Sequence, residues 1–348
     1  MSLTCDWWLP RLTIRSALLL PASFLFGCAV ALRRVLYRTG ILPSQRLAVP
    51  VVVIGNLTVG GSGKTPLVIA LVNALREHGW RPGVISRGYG RQTIAGTAPL
   101  EIHADDDPLH SGDEPLLIAR ATGVPVFVAA DRAGAGRALL IKHPAVNVII
   151  SDDGLQHYAL VRDVEVAVFD SRGAGNACLL PAGPLREPLS RAAGLTALVA
   201  NNFGDDVAAS SLHQRFPGMH EMQLLPQDCY RLGDRQQTGT LAALAMRTPH
   251  TRIAAVAGIG NPARYFATLR GAGLAGLEFD EYMFPDHHRY TRDDLARIAA
   301  DIVIVTEKDA LKCAAFNDDR LWVLPVRAQV DSTLIQSIME KLRGRQAA

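Results

Sequence analysis

The chain has 348 residues, of which 49% are hydrophobic and 20% are charged, and this length is enough for two domains with a sizeable core. The formal net charge of +3 is too small to indicate nucleic-acid binding, and no cluster of aromatic and basic residues suggests it. The five cysteines, at positions 5, 28, 178, 229 and 313, lack the paired spacing of a metal site, which fits a reducing cytosolic compartment.

Residues 1–40 contain an uncharged apolar run from Ser16 to Leu32, interrupted by Pro21 and Gly27. The run is at the short limit for a membrane span, which needs about 20 residues. Basic residues flank it on both sides, at Arg11, Arg15, Arg33, Arg34 and Arg38. A secretory signal, a buried core helix and a helix held at a membrane surface are the three interpretations. The flanking arginines, with Trp7 and Trp8 nearby, favour the membrane surface.

The stretch 51–67 predicts a buried strand, a glycine-rich turn and a helix, in that order. Its glycines let successive N–H groups point at an anion, and the helix directs its positive end to the same place. Lys64 supplies a mobile charge for the β- and γ-phosphates, and Thr65 offers a hydroxyl to Mg²⁺. The predicted phosphate-binding loop consists of Thr58, Val59, Gly60, Gly61, Ser62, Gly63, Lys64 and Thr65. The strict pattern has glycine at the position of Thr58.

From residue 48 onwards, short apolar segments alternate with helical patterns. The predicted strands are Val51–Ile54, Gly83–Ser86, Val124–Ala129, Val146–Ser151, Val164–Phe169 and Ala197–Ala200. The predicted helices between them are Pro66–Glu77, Glu114–Ala121 and Ala133–Lys142. This alternation implies a parallel sheet with helices on both faces, and functional residues at the carboxyl ends of its strands.

Residues 201–247 carry Gln, Asp and scattered Pro, and they predict a less structured boundary. Beyond it a second α/β unit is expected, with strands Ile253–Ala257, Ile302–Thr306 and Leu321–Val326 and helices Pro262–Gly271, Arg292–Ala300 and Ser332–Arg343. The predicted organisation is a membrane-associated segment (1–40), a P-loop domain (41–225) and a smaller C-terminal α/β domain (226–348). Its last helix is a candidate to pack back on the P-loop domain.

Asp152 and Asp153 end a hydrophobic strand, and such a strand beside a phosphate loop usually supplies an acid to Mg²⁺. The alternative interpretation of these two carboxylates is a strand end exposed to solvent, without a functional role. Gln156 and His157 follow in the same turn, within reach of the same phosphate.

Other polar segments have open interpretations. Asp113 precedes a helix, and an N-cap role is favoured for it on sequence alone. The arginines of Ser86–Arg91 either clamp a phosphate or lie on the surface. The rigid loop Leu180–Pro188 is a place for binding residues. Asp286–His288 lacks a third metal ligand at a convincing spacing, and Thr306–Asp309 resembles a guanine-reading motif too loosely to predict GTP.

Together these motifs resemble the tetraacyldisaccharide 4′-kinase family, the lipid A 4′-kinases of Gram-negative bacteria. The matching stretches occur in the family's order over most of the chain, at residues 55–66, 86–91, 112–115, 152–157, 180–187, 284–290 and 306–312. The threonine at position 58 belongs to the family's own pattern. The resemblance implies transfer of the γ-phosphate of ATP to the 4′-hydroxyl of a tetraacylated glucosamine disaccharide 1-phosphate. It also implies a P-loop kinase-like core with a smaller C-terminal α/β domain.

The resemblance assigns roles residue by residue. Asp113 and His287 correspond to the catalytic pair, which agrees with the need of a sugar hydroxyl for a base held by an imidazole. The residues implied at the metal are Thr65, Asp152, Asp153 and Glu187. The other residues implied near the phosphates or the acceptor are Tyr89, Gln156, His157 and Arg186. The implied cofactors are ATP and Mg²⁺.

The resemblance also implies a monomer on the cytoplasmic face of the bacterial inner membrane, held there peripherally by the N-terminal helix. Its partners are then the membrane surface and a lipid-linked disaccharide, and no nucleic acid. Two other function classes stay open on the motifs alone. A P-loop ATPase switch would have lysine before the double glycine, where this chain has Val59. A non-enzymatic nucleotide-gated module would leave Asp113 and His287 without a task.

Overall fold

The computed structural model describes residues 6–9, 11–91, 98–201, 207–246, 251–274 and 278–346. In chain order the strands are β1 (Val51–Gly55), β2 (Pro82–Ser86), β3 (Leu100–Ile102), β4 (Val126–Val128), β5 (Val148–Asp152), β6 (Val164–Asp170), β7 (Ala197–Asn201), β8 (His220–Pro226), β9 (Cys229–Arg231), β10 (Asp234–Gly239), β11 (Ile253–Ala257), β12 (Asp280–Met283), β13 (Ile302–Thr306), β14 (Leu321–Leu324) and β15 (Val326–Val330).

The α-helices are α1 (Ile14–Leu18), α2 (Leu20–Arg38), α3 (Lys64–Glu77), α4 (Pro108–Ser111), α5 (Asp113–Thr122), α6 (Arg132–Lys142), α7 (Val207–Arg215), α8 (Leu241–Ala245), α9 (Pro262–Leu269), α10 (Arg292–Ala296), α11 (Glu307–Cys313) and α12 (Ser332–Gln346). Short 3₁₀ segments lie at Leu189–Gly194 and Ala314–Phe316, and a π-helical segment at Arg270–Leu274 follows α9.

The first sheet has nine strands in the order β15-β8-β7-β6-β1-β5-β2-β4-β3. Strands β8 to β4 in this order run parallel, and only the edge strands β15 and β3 pair antiparallel with their neighbours. The central strand β1 is buried at every position, as expected for an aliphatic run covered on both faces. Its carboxyl end leads directly into the glycine-rich loop.

Helices cover both faces of this sheet. The apolar sides of α3, α5 and α12 form one core with the strands, and α6, α7 and the Leu189–Gly194 segment form the other. The second sheet has six strands in the order β10-β9-β14-β13-β11-β12, with α8 and α9 on one face and α10 and α11 on the other. The predicted fold class is therefore confirmed, including the parallel sheet, the helices on both faces and the second α/β unit.

The prediction of a less structured boundary over 201–247 is wrong. This span contains α7, β8, β9, β10 and α8 among its described residues. Its strands are short or peripheral: β10 is exposed along almost its whole length, and β8 alternates between more and less buried positions. Such strands keep polar residues on the solvent side, and this polarity resembled that of a loop.

The predicted strand Leu321–Val326 is also wrong as a single element. Pro325 separates β14, which belongs to the second sheet, from β15, which pairs with β8 in the first. The chain thus returns to the first unit, and α12 packs there. Arg345 donates to the carbonyls of Leu47 and Val49 at 3.0 Å. The division into 41–225 and 226–348 stays a prediction. The helix predicted over Arg292–Ala300 ends at Ala296, and the sequence reading missed β3 and β12.

The N-terminal helix α2 lies on the surface. Helix α1 ends at Leu18 and α2 begins at Leu20 with Pro21 in its first turn, so the apolar run is interrupted just before Pro21 as predicted. Gly27 lies inside α2, so the prediction that it also interrupts the run is wrong. Ser23 is the buried residue of α2, and its hydroxyl donates to the carbonyl of Leu179 at 2.6 Å. A Cβ at Gly27 would lie 2.9 Å from the side chain of Leu179, so glycine permits this close approach. Because Ser23 is the buried residue of α2, the interpretation of the segment as a buried core helix is wrong.

The outward side of α1 and α2 is apolar. Its large exposed side chains include Ile14, Leu18, Phe24, Leu25 and Leu32. By length and composition, α2 is the one helix in the described part of the chain that is long and apolar enough to cross a membrane.

Candidate active site

The glycine-rich loop connects β1 to α3 and is held by two asparagines. Gly63 precedes α3 with a left-handed φ of 91°, a conformation that favours glycine. Asn201, at the end of β7, donates from Nδ2 to the carbonyl of Ser62 at 2.7 Å, and Asn56 donates to the carbonyl of Gly60 at 3.0 Å. With these carbonyls engaged, the loop presents its N–H groups and the start of α3 to a cavity, which is the geometry of an anion site.

Asp153 lies beside the loop between two cations. Its carboxylate is 3.6 Å from Nζ of Lys64 and 3.3 Å from Nη1 of Arg186. Burial opposes its charge, but Lys64 and Arg186 outweigh that penalty and hold the pKa of Asp153 below its ordinary value. Its φ of 47° is unusual for a non-glycine residue and turns the chain sharply after β5. Asp153 is therefore ionised, and it positions the P-loop lysine.

Asp152 has the opposite environment. It is completely buried, and one carboxyl oxygen accepts from the hydroxyl of Ser86 at 3.3 Å while Oδ1 has no hydrogen-bond partner. Burial, reinforced by the negative charges of Glu114 and Asp153, raises the pKa of Asp152 to about 7. This buried carboxyl group, which has an unpaired oxygen and lies beside a phosphate loop, lacks a positively charged partner among the described residues, so a cation bound there would stabilise its ionised form.

Asp113 and His287 meet across the two α/β units. Nδ1 of His287 lies 3.2 Å from Oδ2 of Asp113. Asp113 is the first residue of α5, Gly112 is the N-cap, and no side chain caps this helix. The N-cap interpretation of Asp113 is therefore wrong, because the glycine, with φ 84°, takes that position and leaves the carboxylate free to face His287. The ring of Tyr89 packs edge-on against His287, with centroids 5.1 Å apart.

Two lysines of α11 complete this cluster. Nζ of Lys312 is 3.4 Å from Oδ2 of Asp113, and Nζ of Lys308 is 3.3 Å from Nε2 of His287. Burial would raise the pKa of Asp113, but the hydrogen bond with His287 and the charges of Lys312 and Lys308 outweigh it and lower that pKa. Asp113 is therefore an ionised carboxylate at neutral pH.

A cavity of about 780 Å³ lies between the two units, with the P-loop at one end. Gly60 to Thr65, Asp153 and Arg186 line it from the first unit, and His287, Asp286 and Lys308 from the second. A Cβ at Gly260 would overlap the backbone nitrogen of Gly61, so the second unit rests directly on the P-loop. Arg172 joins the same two residues, donating to the carbonyl of Gly61 at 3.2 Å and to that of Gly260 at 3.4 Å.

Several predicted site residues do not line this cavity. The amide of Gln156 donates to the carbonyl of Asn56 at 3.2 Å, beneath the loop. His157 is partly buried near Arg132 and Arg162, and burial lowers its pKa to about 4. Glu187 is buried and accepts from the hydroxyl of Tyr158 at 2.6 Å. Thr58 and Val59 form the strand-like start of the loop, against Leu185 and Pro184. Of these, Gln156, Thr58 and Val59 contact the loop or the segments beside it from outside the cavity.

The sequence reading gave no role to Lys308 and Lys312, although it quoted their motif. A signal was present, because Thr306 and Asp309 have the spacing of a helix N-terminus and lysines at i and i+4 then share one face. Asn201, Arg172 and Arg264 were also missed. Asn201 ends β7, Arg172 follows β6 and Arg264 lies in α9. Asn201 and Arg172 contact the loop directly, and Arg264 donates to Oδ1 of Asn201 at 2.6 Å.

Among the described residues, no three histidine, cysteine or acidic side chains lie close enough together to hold a metal ion on their own. A cation at the end of β5 would therefore need oxygen ligands from bound phosphates and from the Thr65 hydroxyl, as is usual for Mg²⁺.

Comparison with known proteins gives consistent matches. Residues 15–343 match the family model described as tetraacyldisaccharide-1-P 4′-kinase. A tetraacyldisaccharide 4′-kinase from Janthinobacterium sp. (strain Marseille) is 49% identical over 341 residues, which cover 96% of this chain and 94% of that protein. The enzyme of that name from Dechloromonas aromatica (strain RCB) is 48% identical over 331 residues, covering 95% and 94%.

Among solved structures, the crystal structure of "apo" form LpxK from Aquifex aeolicus in complex with ATP has a TM-score of 0.74 and 28% sequence identity to this chain. The match covers 94% of this chain and 100% of that one.

Proposed function

The chain belongs to the tetraacyldisaccharide-1-P 4′-kinase family, and from this premise we infer how its site works. The protein is a kinase that transfers the γ-phosphate of ATP to the 4′-hydroxyl of a tetraacylated glucosamine disaccharide 1-phosphate, a step of lipid A biosynthesis. The observation that carries the mechanism is the contact of an ionised Asp113 with His287, a residue that lines the same cavity as the P-loop. Membership of this family excludes the ATPase-switch and non-enzymatic alternatives.

The phosphates of ATP bind along Gly60–Thr65. The N–H groups of the loop and the positive end of α3 neutralise charge without reorganising during the reaction. Lys64 reaches the β- and γ-phosphates, and Arg186 stands beside it on the other side of Asp153. Phosphoryl transfer depends mainly on such positioning and charge stabilisation.

Asp113 acts as the general base for the acceptor. As the hydroxyl oxygen forms its bond to the γ-phosphorus and the bond from phosphorus to the β,γ-bridging oxygen breaks, the hydroxyl proton passes to the Asp113 carboxylate. His287 donates from Nδ1 to Oδ2 of Asp113 and so fixes the carboxylate in one orientation. Because Asp113 and His287 belong to different units, the base is assembled only when the two units close on the cavity.

Mg²⁺ fits the end of β5. The partnerless Oδ1 of Asp152, the adjacent carboxylate of Asp153 and the hydroxyl of Thr65 form an oxygen-rich donor set next to the phosphates. Bound there, the ion would neutralise charge that develops on the phosphate oxygens. Glu187 stays a second candidate ligand, because its Oε2 accepts from Tyr158 while its buried Oε1 has no hydrogen-bond partner in the described part of the chain.

The segment α1–α2 holds the enzyme on the cytoplasmic face of the inner membrane as a monotopic protein. Its exposed apolar side chains and the arginines on both sides of them support contact with the acyl boundary and the anionic headgroups. The acceptor, whose acyl chains lie in the same bilayer, would then meet the enzyme at this surface. The monomeric state stays a prediction.

Fractionation of cells tests the membrane proposal. High salt or alkaline carbonate should release the full-length protein, since a surface helix makes no complete span. Protein that only detergent extracts would favour a transmembrane helix instead. Mature protein that lacks the first residues would restore the secretory-signal interpretation.

The function is tested by transfer of label from γ-labelled ATP to a purified tetraacylated disaccharide 1-phosphate. We expect labelled phosphate on the lipid, in an amount that rises with enzyme. Lys64→Ala serves as the matched inactive control. Hydrolysis of ATP at the same rate with and without lipid, and with no labelled lipid formed, would contradict the assignment.

A further inference from the structure

The motif at residues 306–312 forms the end of β13 and the start of α11, and the mechanism above uses none of it. Thr306 caps α11, accepting from the N–H of Asp309 at 3.1 Å. This start sets the rotation of the helix, so that Lys308 and Lys312, one turn apart, both face the pair of Asp113 and His287. Lys308 stands next to Nε2 of His287, at 3.3 Å, on the side of the ring opposite Asp113.

Lys308 is a buried cation with fixed partners. Its side chain is 13% exposed, and its ammonium group lies 3.3 Å from a carboxylate oxygen of Glu114 and 3.2 Å from one of Asp286. Burial opposes its charge, but Glu114 and Asp286, together with Asp113, outweigh that penalty and raise the pKa of Lys308 above its ordinary value. Glu114 belongs to the first unit and Asp286 to the second, so the ammonium group also bridges the two units.

A charged lysine presents donors only, which decides the role of the ring nitrogen that faces it. Nε2 of His287 must accept from Lys308, and in a neutral imidazole the proton then resides on Nδ1. Nδ1 is the atom that contacts Asp113, at 3.2 Å. The tautomer required to donate to the base therefore follows from the position of Lys308.

We propose that Lys308 is a positioning residue of the active site, which holds His287 in the tautomer that donates from Nδ1 to Asp113. The proposal rests on the role of Asp113 and His287 given under the proposed function. Lys308 acts through His287, whereas Lys312 acts directly on Asp113 and is anchored by Asp309 at 3.1 Å.

The surroundings of His287 predict what happens without the lysine. The next charged group at Nε2 is the carboxylate of Asp286, 3.8 Å away. A carboxylate accepts hydrogen bonds only, so it attracts the ring proton to Nε2. In Lys308→Met both nitrogens of the neutral ring face carboxylates, Asp113 at 3.2 Å and Asp286 at 3.8 Å, so the proton is no longer confined to Nδ1 and a fraction of the rings carries it on Nε2. In that fraction the bare Nδ1 faces the Asp113 carboxylate, and two acceptors facing each other do not hold the base in place.

The tautomer can be read directly by NMR on the full-length protein in detergent, labelled with ¹⁵N-histidine. Long-range ¹H–¹⁵N correlations at a pH about two units above the usual histidine pKa of about 6.5 distinguish the two neutral forms. The signal of His287 is assigned by its loss in His287→Gln. We expect Nδ1–H alone in the wild type and in Lys308→Arg, whose guanidinium also only donates, and an added population of Nε2–H in Lys308→Met.

Kinetics of the same variants complete the test. In Lys308→Met we expect kcat to fall roughly three- to tenfold while KM for ATP changes less than about threefold, because the base is misoriented in part of the enzyme and the phosphate site is intact. Lys308→Arg should recover most of kcat. Lys341→Met, on the exposed side of α12, is the control for loss of one lysine and should match the wild type in both measurements.

Three results would overturn the proposal: an Nε2–H tautomer in the wild type, an unchanged tautomer in Lys308→Met, or a changed tautomer with unchanged kcat. If Lys308→Met does not fold, the wild-type tautomer and the rescue by arginine still decide. Full activity of Asp113→Ala would refute the role of Asp113 as the base, whereas the tautomer of His287 measured in the wild type would not change. Failure of the proposed function and failure of the role of Lys308 are therefore distinguishable.

Discussion

Asp152 and Asp153 are consecutive carboxylates in opposite environments, so their amide variants should change the stability of the nucleotide-free, metal-free protein in opposite directions. Asp152 is buried with a partnerless oxygen and a pKa raised to about 7. Asp153 lies between Lys64 and Arg186, and its pKa is lowered. At neutral and alkaline pH, Asp152→Asn removes an unfavourable charge, whereas Asp153→Asn removes a favourable one.

The size of the Asp152 effect follows from proton linkage. An aspartate titrates near 3.9 in an unfolded chain, each pKa unit is worth about 1.4 kcal/mol, and the folded-state value is about 7. Because the folded state binds this proton more tightly, the stabilising contribution is complete below about pH 4 and is lost as pH rises through about 7, a change of about 4 kcal/mol. The amide leaves a buried N–H at a cost of about 1–3 kcal/mol. A net gain of about 1–3 kcal/mol therefore remains at pH about 8.

Urea unfolding followed by tryptophan fluorescence, with chelator present and at pH values of about 5 and about 8, measures both variants against the wild type. The gain of Asp152→Asn should be smaller at the lower pH, where the wild-type carboxyl is protonated in the folded state. Asp153 contributes stability above its unfolded pKa of about 3.9, and this is lost as pH falls through its lowered pKa, so Asp153→Asn should cost about 1 kcal/mol at pH about 8. The reasoning would be refuted by an Asp152→Asn protein that is less stable than the wild type at pH about 8. A difference in free energy of unfolding between the two proteins that does not vary with pH would also refute it.

Three further perturbations test the site. Lys64→Ala should lower kinase activity by more than about tenfold with an unchanged circular dichroism spectrum, since a charge at the phosphates is lost; a smaller fall would count against the P-loop assignment. Asp113→Ala and His287→Ala should each cripple turnover, and the double variant should be at most about threefold worse than either, because the two side chains act as one unit; multiplicative losses would separate them. Gly260→Ala places a Cβ against a P-loop backbone nitrogen and should weaken ATP binding, measured by calorimetry, by at least about tenfold; unchanged affinity would show that the two units need not touch there.

The elements predicted most accurately are those with one strong periodic signal. Strand β1 and helix α3 were placed to within two residues, because an aliphatic run covered on both faces and a lysine-threonine pair after glycines leave few alternatives. The peripheral strands β8 and β10 were missed, since a strand that keeps much of its length in solvent carries polar residues like those of a loop. Pro325 likewise separates strands of two different sheets. A proline inside an apolar run is a signal for the end of a strand, and the prediction of one strand over 321–326 did not use it.

The sequence by itself determined the phosphate loop, the pairing of a strand end with acidic residues, and, through motifs spread over most of the chain, the family. These depend on residues close together in the chain, where backbone geometry is set by local steric rules. Only the tertiary structure decided that Asp113 is no helix cap, that His287 reaches it from the other unit, and that Lys308 and Lys312 stand behind them. Asp113 and His287 are 174 positions apart, and Glu114 and Lys308 are 194 positions apart. Nothing local in a sequence encodes a distance between side chains that folding alone brings together.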